Sequence, residues 1–159
     1  ATGQTGICIS GSGIPLDAFK VDHATGAVEE MVLKYKERDV VVIEGQGSLL
    51  NPGSTATLPL MRGSCPTAMI LCHRFGLKKV DSVTEVQIPP LEKVIQLNEA
   101  MVSCMNLFPA AKVKGLALDT RDLNENLAKH EIKNLEDELN LPVTDPVRFG
   151  AKKLAEAIN

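Results

Sequence analysis

The sequence predicts an α/β protein built on a doubly wound, mostly parallel sheet, and three observations carry that prediction. Short apolar runs alternate along the chain with segments whose apolar residues recur at helical spacing. Two of the runs, Val40-Val41-Val42-Ile43 and Ala68-Met69-Ile70-Leu71-Cys72, are apolar at every position, as a strand buried on both faces requires. Two long loops, 45–66 and 73–90, follow the ends of those runs, where open α/β sheets bind their ligands.

Taken in order, Ile7-Cys8-Ile9 reads as a short strand entered through Gln4 and Thr5, and Gly11-Ser12-Gly13-Ile14-Pro15 as the turn after it. Residues 22–36 place Ala27, Val28, Met31, Val32 and Tyr35 at helical spacing, with Asp22 as the candidate N-cap. The run 40–43 is the next strand, and Glu44-Gly45-Gln46-Gly47 follows it. Residues 48–66 read as a loop containing a short helix, and 68–72 as a strand. Residues 73–90 read as irregular. A helix is expected from Leu91 to Met105, a strand from Val113 to Leu118, and a helix from Asn124 to Leu139 with a charged, solvated face. Pro142-Val143-Thr144 makes a last short strand and Phe149 to Ile158 a closing helix. The βαβαβαβαβ order implies right-handed crossovers and about five parallel strands.

Composition narrows the function classes. The 159 residues fit one domain, here 1–159, at roughly 100–200 residues each. Hydrophobic residues at 44% are enough for a core, which excludes intrinsic disorder. The net charge of −3 without a dense basic run excludes a non-specific nucleic-acid binder, and the absence of Trp removes a platform for stacking bases. No apolar run approaches the ~20 residues of a membrane span. Cys8, Cys65, Cys72 and Cys104 form no CxxC pair and read as buried thiols of a cytoplasmic protein. No signal peptide opens the chain, and its start at Ala1, in what looks like the approach to a strand, reads as a piece of something longer.

The chemistry-bearing residues sit beside the predicted strand ends. An apolar run closing on Glu44 suits a carboxylate that holds Mg²⁺ beside a triphosphate, and Gly45 and Gly47 let backbone approach a ligand. The alternative is a solvated carboxylate at an ordinary turn. The motif GxxxxGK[ST] occurs nowhere in the chain, so no phosphate cradle is visible in it. Asp17 and Asp22 are either helix-start residues or second carboxylates near a metal or an amine. Gln4 and Thr5 are either polar edge residues or ligand contacts. His73 is either a base with a pKa near neutrality or polar surface. Arg74, Lys78 and Lys79 either clamp an anion or form an exposed basic loop. Asp145-Pro146-Val147-Arg148 either starts the last helix or borders a ligand.

The segments ATGQTG (1–6), Gly11 to Ala18 and Val42-Ile43-Glu44-Gly45-Gln46-Gly47-Ser48-Leu49, with Leu71-Cys72-His73, the Pro90–Ile95 helix start and Asp145-Pro146-Val147-Arg148, resemble a bacterial and archaeal family over nearly the whole chain. It is the C-terminal P-loop domain of proteins labelled as a domain of unknown function, among them D-glutamate N-acetyltransferases. The EGQGSL part alone also resembles dethiobiotin synthetase. The resemblance implies a Rossmann-like, three-layer P-loop fold that lacks its first strand and P-loop here, as the C-terminal part of a longer two-domain protein. It implies an acetyl-CoA-dependent N-acetyltransferase acting on D-glutamate or a similar amino acid, with ATP- and Mg-dependent ligase or kinase-like chemistry, or nucleotide binding without turnover, as the alternatives. In that scheme Glu44 or His73 is the base, and Glu44 is the Mg ligand only under the ATP reading. Gln4, Thr5, Asp17, Asp22, Gly45, Gln46, Gly47, Ser48, Arg74, Asp119 and Arg148 would line the substrate or cofactor site. Relatives usually carry Asn-Thr where this chain has Asp119-Thr120. An ionised Asp only accepts hydrogen bonds, so base recognition there would differ. The expected partner is a small molecule, with neither nucleic acid nor membrane, in a homo-oligomer.

Overall fold

The computed structural model describes residues 4–16, 19–81 and 83–158. The chain divides into two compact units, 1–66 and 67–159, and each is described by itself.

The first unit is helical among its described residues. Helix α1 spans Gln4–Ser10, α2 Val21–Leu33 and α3 Thr57–Ser64. Leu16, Ala24, Val28 and Leu60 form its core, with Ile14, Val32, Ile43 and Ala56 packed around them. The backbones of α2 and α3 meet at Gly63, where a Cβ would lie 2.3 Å from the Thr25 carbonyl oxygen and 2.7 Å from Val28 Cβ. Only a residue without a side chain permits that approach.

The expected strand at 7–9 lies inside α1, so Gln4 and Thr5 sit on a helix. The helix stops at Gly11, whose φ of +68° is left-handed and whose N–H donates to the Ile7 carbonyl at 2.9 Å. The expected strand at 40–43 is not one either: Val40 and Val42 are 59% and 83% exposed, and only Ile43 joins the core. The reason is common to both. A β-branched run becomes a strand only beside a neighbour that takes its N–H and C=O groups, and the described residues of this unit contain none. Asp22 is not the cap of α2. That position is Lys20, which makes no side-chain cap, and Asp22 lies in the first turn, where its charge favours the helix dipole.

The second unit holds the sheet. Strands β1 (Ala68–Arg74), β4 (Lys112–Asp119) and β5 (Val143–Thr144) form a parallel sheet in the order β1-β4-β5. Between the first two lie an antiparallel hairpin of β2 (Lys79–Val80) and β3 (Val83–Gln87), then α4 (Leu91–Ser103). Helix α5 (Glu125–Leu139) links β4 to β5, and α6 (Lys152–Ile158) closes the chain. The α/β class and parallel pairing agree with expectation. The count of five parallel strands does not: the described residues give three, and the region 73–90 contains the hairpin.

The core of this unit is Leu116, Leu118, Ile132 and Val143, with Leu71, Phe75, Leu91, Leu135 and Leu139 against it. Asn124 caps α5 by accepting from the Leu127 N–H at 2.9 Å. Gly115 lets α6 close on β4: a Cβ there would meet Leu154 Cδ2 at 2.7 Å. The cysteines depart from expectation, since Cys8, Cys65 and Cys72 are exposed and Cys104 is half-buried, all as free thiols. No described helix is long and apolar enough to cross a membrane.

Candidate functional site

The carboxyl ends of the parallel strands converge on one edge of the second unit. There β1 ends at His73 and Arg74, β4 at Asp119, and β5 at Thr144 just before Asp145. The β1–β4 register sets His73 opposite Leu118 and Arg74 opposite Asp119. Ligands of open α/β sheets collect at such an edge.

His73 is half-buried, and desolvation holds its pKa below the ordinary 6.5. The imidazole is therefore neutral at pH 7, with a nitrogen able to take a proton. Desolvation raises the thiol pKa of its neighbour Cys72, which keeps that thiol protonated at pH 7 although the residue retains surface exposure.

Around His73 the edge is charged and balanced. Arg74 donates from Nη2 to Asp122 Oδ2 at 2.7 Å. Arg121 donates from Nε to both Asp119 oxygens, at 3.0 Å and 2.8 Å, and its Nη2 lies 2.7 Å from Oδ2. That hydrogen-bonded fork is the main reason the Asp119 carboxyl is held below its ordinary value.

Beneath the edge lies a buried clasp. Asp145 is 2% exposed. Its Oδ2 accepts from the Thr120 N–H at 2.9 Å and the Thr120 hydroxyl at 2.6 Å, and its Oδ1 from the N–H groups of Val147 at 3.0 Å and Arg148 at 3.1 Å. Burial by itself would raise this carboxyl, but the four donors outweigh it and the pKa is lowered. Arg148 reaches back to donate to the carbonyls of Thr120 at 3.0 Å and Leu123 at 2.9 Å. Asp145 and Arg148 thus fix the loop 120–123 from both sides.

The remaining sequence-predicted residues belong to the first unit. Glu44 and Gly45 are exposed, and the Gln46 carbonyl accepts from the Thr57 hydroxyl at 2.9 Å. Thr57 opens α3 and lies 3.0 Å from the Ser54 hydroxyl. Gly47 adopts a φ of +73°, and a Cβ there would stand 2.1 Å from Ser54 Oγ. The Ser48 hydroxyl accepts from the Leu50 N–H at 3.1 Å, so it serves its own turn. Gln46 Oε1 is buried with no hydrogen-bond partner among the described residues. Thr5 and Asp22 are exposed on their helices. Asp17 lies outside the described residues, as does the side chain of Gln4. Among the described residues, no group of three or more His, Cys, Asp and Glu side chains could hold a metal ion.

Residues 1–155 match the family described as Domain of unknown function (DUF1611_C) P-loop domain. The chain belongs to this family. The DUF1611 domain is 35% identical over 159 residues to the D-glutamate N-acetyltransferase of Tritonibacter scottomollicae, covering 99% of this chain and 47% of that protein. It is 32% identical over 155 residues to the D-glutamate N-acetyltransferase of a Pseudoalteromonas species, covering 97% and 46%. The crystal structure of a DUF1611 family protein from Anabaena variabilis superposes with a TM-score of 0.96 at 51% identity, covering 99% of this chain and 46% of that one. The domain therefore spans about half the length of the curated relatives it matches.

Of the residues predicted from sequence, the fold groups His73, Arg74, Asp119 and Arg148 at the sheet edge of the DUF1611 domain. Arg148 is engaged by backbone carbonyls and braces the loop 120–123. Sequence reasoning passed over Arg121 and Asp122, and named Thr120 without giving it a role. The available signal was their position directly after an apolar strand, at its carboxyl end.

Proposed function

We propose that the DUF1611 domain is the acceptor side of an N-acetyltransferase acting on D-glutamate or a similar amino acid, within a protein of its relatives' length. The observation that carries this reading is His73, a half-buried neutral imidazole at the carboxyl end of β1. Relatedness over 99% of the chain to a protein named D-glutamate N-acetyltransferase supplies the substrate class. An amino acid's ammonium group is not a nucleophile. His73 takes its proton and leaves the neutral amine that acyl transfer requires.

Acetyl-CoA is the acyl donor that this reading implies. Its phosphates call for unengaged cations or a glycine-rich cradle of N–H groups. At the sheet edge the arginines are interleaved with Asp119, Asp122 and Asp145, which would repel a polyphosphate, and the chain contains no GxxxxGK[ST] loop. The residues of this edge fit the acceptor and do not fit the donor.

Glu44, on the first unit, is the other candidate base. Full-length His73→Gln and Glu44→Gln proteins, given acetyl-CoA and D-glutamate, separate the two by mass detection of N-acetyl-D-glutamate. The reading expects the product from wild type and Glu44→Gln, and a loss of about 100-fold or more in His73→Gln. Undiminished turnover in His73→Gln would remove the imidazole from the reaction.

A further inference from the structure

We propose that Arg74 and Arg121 form a paired carboxylate receptor for an acidic amino acid, with Asp119 and Asp122 as the internal carboxylates that the ligand displaces. This rests on the acceptor-side reading above and adds the residues that would select an acidic side chain.

Three observations lead to it. Both arginines stand at the carboxyl edge of the parallel sheet, Arg74 at the end of β1 and Arg121 just after β4. Each guanidinium already holds a carboxylate: Asp122 on Arg74 and, through two donors, Asp119 on Arg121. The resting partners therefore display the oxyanion geometry that a bound ligand would reproduce. Both pairs are open to water, with side-chain exposures of 46% and 65% for Arg74 and Asp122 and 71% and 30% for Arg121 and Asp119. Pairs so exposed are weakly held, so a ligand carboxylate exchanges for an aspartate at little cost.

The loop that carries Arg121 and Asp122 is nonetheless anchored. Asp145, buried beneath it, holds Thr120 by two hydrogen bonds, and Arg148 holds the carbonyls of Thr120 and Leu123. The edge thus combines a fixed backbone with exchangeable side-chain pairs, which suits binding without reorganisation of the fold.

The charge pattern selects the ligand class. Arg74 feels the positive charge of Arg121, and each arginine is also stabilised by the other pair's aspartate. A ligand with two carboxylates satisfies both guanidiniums, and its ammonium group then faces the displaced aspartates. A balanced edge fits an amino dicarboxylate, which carries both signs, better than a polyphosphate, which the three nearby aspartates would repel.

The test uses the full-length protein and titration calorimetry, with glutarate as the unreactive dicarboxylate probe. Wild type is expected to bind glutarate and D-glutamate and to bind D-glutamine, which has one carboxylate fewer, about tenfold more weakly. Arg74→Gln and Arg121→Gln should each weaken glutarate about 10–100-fold, with Arg121→Lys intermediate because it keeps the charge and loses the fork. In turnover the same variants should raise KM for D-glutamate with little change in kcat. Absence of glutarate binding, affinity unchanged in both glutamine variants, or displacement of glutarate by adenosine 3′,5′-bisphosphate would each overturn the receptor. Arginine-dependent glutarate binding by a protein that acetylates no amino acid would support the receptor and refute the acetyltransferase reading, so the two fail separately.

Discussion

Removing the Asp145 carboxylate should loosen the loop 120–123 far more than any exposed change nearby. The Asp145 carboxylate serves four donors from a position 2% exposed, two of them on Thr120 and two on the Val147–Arg148 turn. In Asp145→Ala all four lose their acceptor. A hydrogen bond to a charged group contributes about 1.5–3 kcal/mol, and the turn N–H groups can recover part of that by reaching water. The net cost of opening the clasp should therefore fall by about 3 kcal/mol. At about 1.4 kcal/mol per factor of ten, that is roughly a 100-fold loss of protection. Asp145→Asn keeps one oxygen and turns an NH₂ group on the other pair of donors, so a smaller loss is expected. The assay is amide exchange at Thr120 and Leu123 in the full-length protein, corrected for intrinsic rates. The folded pKa lies below the ordinary 3.8. The carboxylate's contribution is therefore complete above the unfolded pKa and is lost as the pH falls through the folded one. Wild-type protection should decline only in that acid window, and the alanine variant should lack the decline. A change under threefold in Asp145→Ala would refute the clasp.

Other outcomes follow from the same geometry. Gly63→Ala should lower stability by about 2–4 kcal/mol in denaturant unfolding, because the new methyl meets the Thr25 carbonyl and Val28 at once. Gly47→Ala combines a φ of +73° with a contact on Ser54 Oγ and should cost about 1–3 kcal/mol, part of it regained in the double variant with Ser54→Gly. Asn124→Ala removes the α5 cap and should cost about 1 kcal/mol in the same unfolding measurement. The pH–rate profile for acetyl transfer should have an acid limb with its midpoint below 6.5, since desolvation favours neutral His73 and the rate falls only as the imidazole is protonated.

The second unit was largely legible in the sequence, because its elements are specified locally and then reinforced by each other. The strands around Leu71 and Leu116 are apolar runs with neighbours in the sheet, and the helix after Asn124 carries both its cap and its periodicity. The first unit misled where a run needed a partner the described residues do not supply. Ile7-Cys8-Ile9 became helix and Val40–Ile43 stayed unpaired, although β-branched composition favours strand in both. The hairpin after Arg74 escaped because its strands are short and polar, with Lys79, Glu85 and Gln87 interrupting any alternation. At the site, residue type and strand-end position pointed to His73 and Arg74, and the family resemblance pointed to Asp119. The pairing of Arg121 with Asp119 and the burial of Asp145 arise from tertiary packing, which no local pattern encodes.

The most direct test of the acceptor-side account is release of free CoA thiol by the full-length protein from acetyl-CoA. D-glutamate, L-glutamate and no amino acid are compared, each in wild type and in His73→Gln. The account predicts release that requires D-glutamate, needs neither ATP nor Mg²⁺, and is lost in His73→Gln. Release indifferent to the amino acid or to His73, or ADP formation in place of thiol release when ATP and Mg²⁺ are supplied, would contradict it.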